Sequence, residues 1–83
     1  MPGYHLREIA KGVLGDTSKI REELEELEDA LAQGARIMAL VELSDLVGAV
    51  EAFLGKHFPQ MTFEDLLVMH AITKRAWISG ERK

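Results

Sequence analysis

The run Ile37-Met38-Ala39-Leu40-Val41-Glu42-Leu43-Ser44-Asp45-Leu46-Val47-Gly48-Ala49-Val50-Glu51-Ala52-Phe53-Leu54 decides how the chain is read, because only Glu42, Asp45 and Glu51 in it carry charge. At about 100° per residue Ser44 and Glu51 share one side of a helix, whereas Glu42 and Asp45 fall almost opposite, about 60° apart, among Met38, Ala49, Ala52 and Phe53. Ser44 and Glu51 account for the side that faces water, which sends Glu42 and Asp45 toward packed structure. Carboxylates are rarely buried without a cation beside them. Left alone, desolvation and mutual repulsion drive them toward protonation. A buried lysine or arginine is one remedy; a bound divalent ion is the other, and few bases are placed to supply the first.

Working outward, apolar residues recur at helical spacing through most of the chain after residue 16, with no strand pattern. The expected fold class is all-α, a helical bundle of three main helices near residues 18–33, 36–56 and 62–79. Asp16, Thr17 and Ser18 offer N-cap oxygens to the first helix, and Gly34 can end it. The break His57-Phe58-Pro59-Gln60 stops the second, Thr62 can cap the third, and Gly80 can end that one. Residues 1–17 read as an N-terminal arm or short helix, and residues 18–83 as the helical domain.

With 83 residues the chain is one domain, and a chain of this size buries only about 60–65% of its unfolded surface. Apolar residues make up 47% and charged ones 29%, which fits a folded globular protein rather than a disordered one. The second helix is apolar around most of its circumference, more than two neighbours in so short a chain can cover. Self-association into a homodimer or homotetramer is therefore expected to complete the core. No cysteine is present, so thiolate metal sites and disulfides do not arise. No apolar run approaches the roughly 20 residues needed to span a bilayer, and the default expectation is a cytoplasmic protein without a membrane partner. A net charge of −4, with six acids between Glu22 and Asp29, argues against a nucleic-acid surface.

The first helix carries Lys19-Ile20-Arg21-Glu22-Glu23-Leu24-Glu25-Glu26. Ile20, Leu24, Leu27 and Leu31 form a narrow apolar stripe, with Glu23 and then Glu26 to one side and Glu28 and Glu25 to the other. Periodicity offers these two carboxylate pairs and does not choose between them. A solvated acidic face paired with Lys19 and Arg21 is the plainer reading. On the third helix Lys74 emerges from the apolar face beside His70 and Trp77, either reaching a phosphate or laying its stem over apolar surface. The histidines at 5, 57 and 70 lack metal-motif spacing and are not assigned to a metal.

Two antiparallel helices that each offer acids at i and i+3 can place four carboxylates around a space one or two cations wide. All-oxygen ligation suits Mg²⁺, with Mn²⁺ able to substitute. The chemistry fitting such a site is metal-assisted phosphoryl or nucleotidyl transfer to water. No glycine-rich phosphate loop, nucleophile elbow or HExxH competes.

At these residues the sequence resembles the MazG-like superfamily of all-α nucleoside triphosphate pyrophosphohydrolases, whose pattern is EExxE followed by ExxD on the next helix. Here the pattern reads Glu22-Glu23-Leu24-Glu25-Glu26 and, 16 residues on, Glu42-Leu43-Ser44-Asp45. The likeness covers residues 19 to about 56, and with the leader Tyr4-His5-Leu6-Arg7 it is similar to compact stand-alone members of phages and bacteria. The resemblance implies that Glu23, Glu26, Glu42 and Asp45 hold Mg²⁺, with Glu22 as a nearby helper or catalytic base. It implies hydrolysis of a nucleoside triphosphate between the α and β phosphates, in nucleotide-pool housekeeping, with Lys74 and Arg75 holding phosphates. Ser44 stands where the family often has glycine, and Thr73 precedes Lys74 without the asparagine common there. The alternatives are a non-catalytic helical oligomerisation or regulatory module and a phosphoribosyl-ATP pyrophosphohydrolase.

Overall fold

A computed structural model describes residues 5–78 and residue 80. Three helices make up its regular structure: α1 Thr17–Ala32, α2 Arg36–His57 and α3 Phe63–Ile78. No strand occurs among the described residues, so the all-α expectation holds, and the helix boundaries fall within one residue of those read from the sequence. No helix is long and apolar enough to cross a membrane.

The turn between α1 and α2 sets the geometry of everything else. Gly34 takes φ +73°, a left-handed conformation that costs an L-residue about 1–2 kcal/mol and glycine very little. It lets the amide of Ala35 donate to Ala30 O (2.9 Å) and that of Gly34 to Leu31 O (3.0 Å), the Schellman closure of a helix end. Only Gln33, Gly34 and Ala35 separate the helices, so α2 folds back antiparallel along α1. Small residues, Ala30, Ala39 and Ala49, lie buried in this hairpin and allow close approach.

α3 starts on a reciprocal capping box. The amide of Asp65 donates to Thr62 Oγ1 (3.1 Å) while Asp65 Oδ2 accepts from the Thr62 amide (2.9 Å). Thr62 thus caps as expected. Asp16 stands at the N-cap of α1, yet its carboxylate makes no cap bond. It pairs instead with Lys56 from the end of α2, which holds its pKa below the usual carboxylate range.

The expected three-helix bundle does not close within one chain. α1 and α2 pack extensively, whereas α3 buries no residue. The radius of gyration is 14.9 Å, against about 12 Å for a compact chain of this length. The accessible surface is 6243 Å², against about 5,000 Å² for a compact monomer of this mass. Leu24 and Leu31 of the α1 stripe stay exposed, as do Leu40, Leu43 and Val47 on α2 and Leu67, Val68 and Ile72 on α3. Leu27, Leu31, Ala39, Leu40 and Leu43 line an open apolar groove of about 340 Å³ together with Arg36. What α1 buries is the side about 120° round from that stripe, carrying Glu22, Glu23, Asp29 and Ala30.

Candidate metal centre

The arm explains why an acidic face is covered. Residues 5–16 run without helix antiparallel to α1: Leu6 N and His5 Nδ1 donate to Asp29 Oδ2 (3.1 and 2.7 Å), Arg7 Nη2 to Glu25 O (3.0 Å), and Gly12 N to Glu22 Oε1 (2.9 Å). Gly12 passes so close that a Cβ there would sit 2.3 Å from Ser18 O. Between the arm, α1 and α2 lie the carboxylates.

Glu42 projects from α2 into this layer and is 4% exposed; Glu23 meets it from α1 at 5%. Asp45, one turn on, departs from expectation. It does not lie in packed structure but is exposed at the rim, although one of its carboxylate oxygens still lies within 4.8 Å of oxygens from Glu23 and Glu42. Glu22, Glu23 and Glu26 form a second such group. Glu26, half-buried, belongs to that second group and, with His5, to a third that includes Glu42, but is not grouped with Asp45. Ser44 and Glu51 face outward as the helical wheel requires.

The electrostatics divide these acids into satisfied and unsatisfied ones. Burial raises the Glu22 pKa, but the amide of Gly12, the ammonium of Lys19 at 3.1 Å and Lys11 outweigh it, and the group is held below its ordinary value. Asp29 behaves likewise: burial acts upward, and bonds from His5, Leu6 N and Gln33 Nε2 bring it down. Lys19 also lies 3.1 Å from Glu23 Oε2, and these two acids raise its pKa. Glu26 and Glu42 are pushed up, by burial first and then by a neighbouring carboxylate, Glu23 for the former and Asp45 for the latter.

Two oxygens, Glu23 Oε1 and Glu42 Oε1, are buried without a hydrogen-bond partner among the described residues. A buried, partnerless carboxylate oxygen costs several kcal/mol of lost solvation. No lysine or arginine pairs with Glu42 among the described residues. The donor set is hard, anionic and convergent, and these residues fit a divalent ion.

The sequence reading missed His5 and Asp29. His5 Nε2 stands 3.5 Å from Glu42 Oε2 and 4.0 Å from Glu26 Oε1. Histidine spacing could not reveal this, because the arm has no periodicity from which to infer a face. Lys74 and Arg75 are exposed on α3, which packs far less against the other helices than α1 and α2 do against each other; the ion pairs of the acidic layer are made by His5, Lys11 and Lys19 instead. No family model, curated protein or solved structure matches the chain.

Proposed function

We propose that this protein is a Mg²⁺-dependent nucleoside triphosphate pyrophosphohydrolase, converting NTP or dNTP and water to the monophosphate and diphosphate. The observation that carries the reading is the pair of buried, partnerless oxygens, Glu23 Oε1 and Glu42 Oε1, on two residues whose carboxylates converge with that of Asp45 to within 4.8 Å from two helices. Glu23, Glu26, Glu42 and Asp45 would hold the ion. Bound there, Mg²⁺ supplies charge neutralisation to substrate phosphate oxygens and lowers the pKa of water. The EExxE and ExxD pattern supports the same assignment by resemblance.

The resemblance makes Glu22 the nearby helper or candidate base, and it lies beside Glu23 and Glu26. Lys74 and Arg75 take the phosphates from the α3 of another protomer, in keeping with the exposed apolar surface that a dimer or tetramer would cover. That surface also favours the second reading, a non-catalytic oligomerisation module on the same scaffold. Diphosphate release from a panel of ribo- and deoxyribonucleoside triphosphates and phosphoribosyl-ATP, with Mg²⁺ or Mn²⁺, separates the two. Turnover of a nucleoside triphosphate is expected; phosphoribosyl-ATP as sole substrate would move the protein to histidine synthesis. No release from any of them, with no binding of a non-hydrolysable analogue, rejects the enzyme.

A further inference from the structure

We infer that His5 is a metal ligand, its Nε2 joining Glu26 and Glu42 in a mixed nitrogen–oxygen position that takes a divalent first-row transition ion. The inference rests on the metal-centre reading above and extends it from an all-carboxylate Mg²⁺ site to one that also accepts a borderline ion.

The geometry comes from three levels of support. Asp29 is ionised and can only accept, so His5 Nδ1 donates to it at 2.7 Å. With Nδ1 so held, Nε2 stands 3.5 Å from Glu42 Oε2 and 4.0 Å from Glu26 Oε1, and one ligand atom from each of His5, Glu26 and Glu42 falls in a group that could hold a metal ion. Bonds of about 2.0–2.2 Å to one ion put neighbouring ligand atoms roughly 3.0–3.5 Å apart, and the ligand atoms of His5, Glu26 and Glu42 already lie within 4.8 Å of one another. Asp29 itself is fixed by Leu6 N and Gln33 Nε2. Carboxylate, imidazole and metal in that order is the usual way a protein holds a histidine ligand in one tautomer. Independently of the histidine, the Glu42 side chain is 5% exposed and its second oxygen, Oε1, is buried with no hydrogen-bond partner among the described residues. Imidazole suits Zn²⁺, Ni²⁺ or Cu²⁺, whereas Mg²⁺ prefers oxygen throughout.

The experiment uses the full chain and bare ions. Long-range ¹H–¹⁵N spectra of the wild type, with and without Zn²⁺, should show His5 Nε2 moving to a metal-bound shift while His57 and His70 stay in place. By calorimetry His5→Gln, which keeps a donor for Asp29, should weaken Zn²⁺ binding at least tenfold and change Mg²⁺ binding less than twofold. Asp29→Asn should weaken Zn²⁺ by about tenfold or more. Unmoved His5 nitrogens, or equal Zn²⁺ affinity in a folded His5→Gln, overturn the inference and identify His5 as an ordinary ion-pair partner of the acids. Glu42→Gln distinguishes the two claims. If it abolishes Mg²⁺ binding while the His5 nitrogens ignore Zn²⁺, the carboxylate Mg²⁺ site stands and this inference falls. If Mg²⁺ binding survives Glu42→Gln while His5 responds to Zn²⁺, the reverse holds.

Discussion

Glu42→Gln should make the metal-free protein more stable and the Mg²⁺-loaded protein less stable than wild type. The side chain keeps its shape and loses its charge. In the wild type its carboxylate shares a space with oxygens of Glu23 and Asp45, all within 4.8 Å of one another. Two unit charges at that separation repel by about 3.5 kcal/mol at an effective dielectric of 20 and about 0.9 kcal/mol in bulk water. Asp45 is at the rim and Lys19 partly neutralises Glu23, so the net relief lies toward the lower end, about 1–2 kcal/mol. For a domain of this size that corresponds to a Tm higher by roughly 5–15 °C. Saturating Mg²⁺ at about 100 times its Kd should then stabilise the wild type by about 2.7 kcal/mol and Glu42→Gln hardly at all. The two melting curves, taken at pH 8 and one protein concentration with EDTA or with Mg²⁺, should change order. A variant that melts below wild type in EDTA, or gains as much from Mg²⁺, refutes the claim that these acids coexist only at a cost that a cation relieves.

Glu51→Gln, a change on the exposed side of the same helix, should leave both melting curves and any diphosphate release unchanged. Stability against pH has two opposed parts. The raised pKa values of Glu26 and Glu42 mean that the folded state holds protons more tightly, so their contribution is full below the ordinary glutamate range and is lost as pH rises through the raised values. Glu22 and Asp29 are lowered, and their contribution is present above the ordinary range and lost as pH falls through the depressed values. Chemical denaturation without metal should therefore show a maximum near the ordinary carboxylate range and a decline toward neutrality that Mg²⁺ removes; a flat profile from there to pH 8 counts against it. Gly12→Ala puts a Cβ 2.3 Å from backbone, which no side-chain motion relieves. It should lift the arm from α1, cost about 1–3 kcal/mol and increase hydrogen exchange at the Gly12 amide. Leu40→Glu, in the apolar groove, should shift the protein to smaller species in sedimentation; an unchanged oligomer places the interface elsewhere.

The helices and their ends were legible in the residues because their causes are local. Gly34, Thr62 with Asp65, and the Phe58-Pro59 break act within a few residues of themselves. The burial of Glu42 and the exposure of Glu51 were legible too, from the opposite sides they take on α2, although the same wheel sent Asp45 inward with Glu42 and the structure leaves it exposed. α1 was different. Its apolar stripe suggested the packed face, yet within one chain α1 turns its acids inward, because the arm brings amides of Leu6 and Gly12 and the ring of His5 to that side.

Sequence by itself determined the all-α class, the hairpin turn and the Glu42 face, each set by bonding and periodicity along a single segment. Tertiary structure alone decided that Asp45 sits at the rim, that Lys74 and Arg75 lie exposed on α3, and that His5 joins Glu26, Asp29 and Glu42. Those placements depend on how an aperiodic arm and separate helices meet, and contacts over 20 or more residues of chain leave no spacing to read.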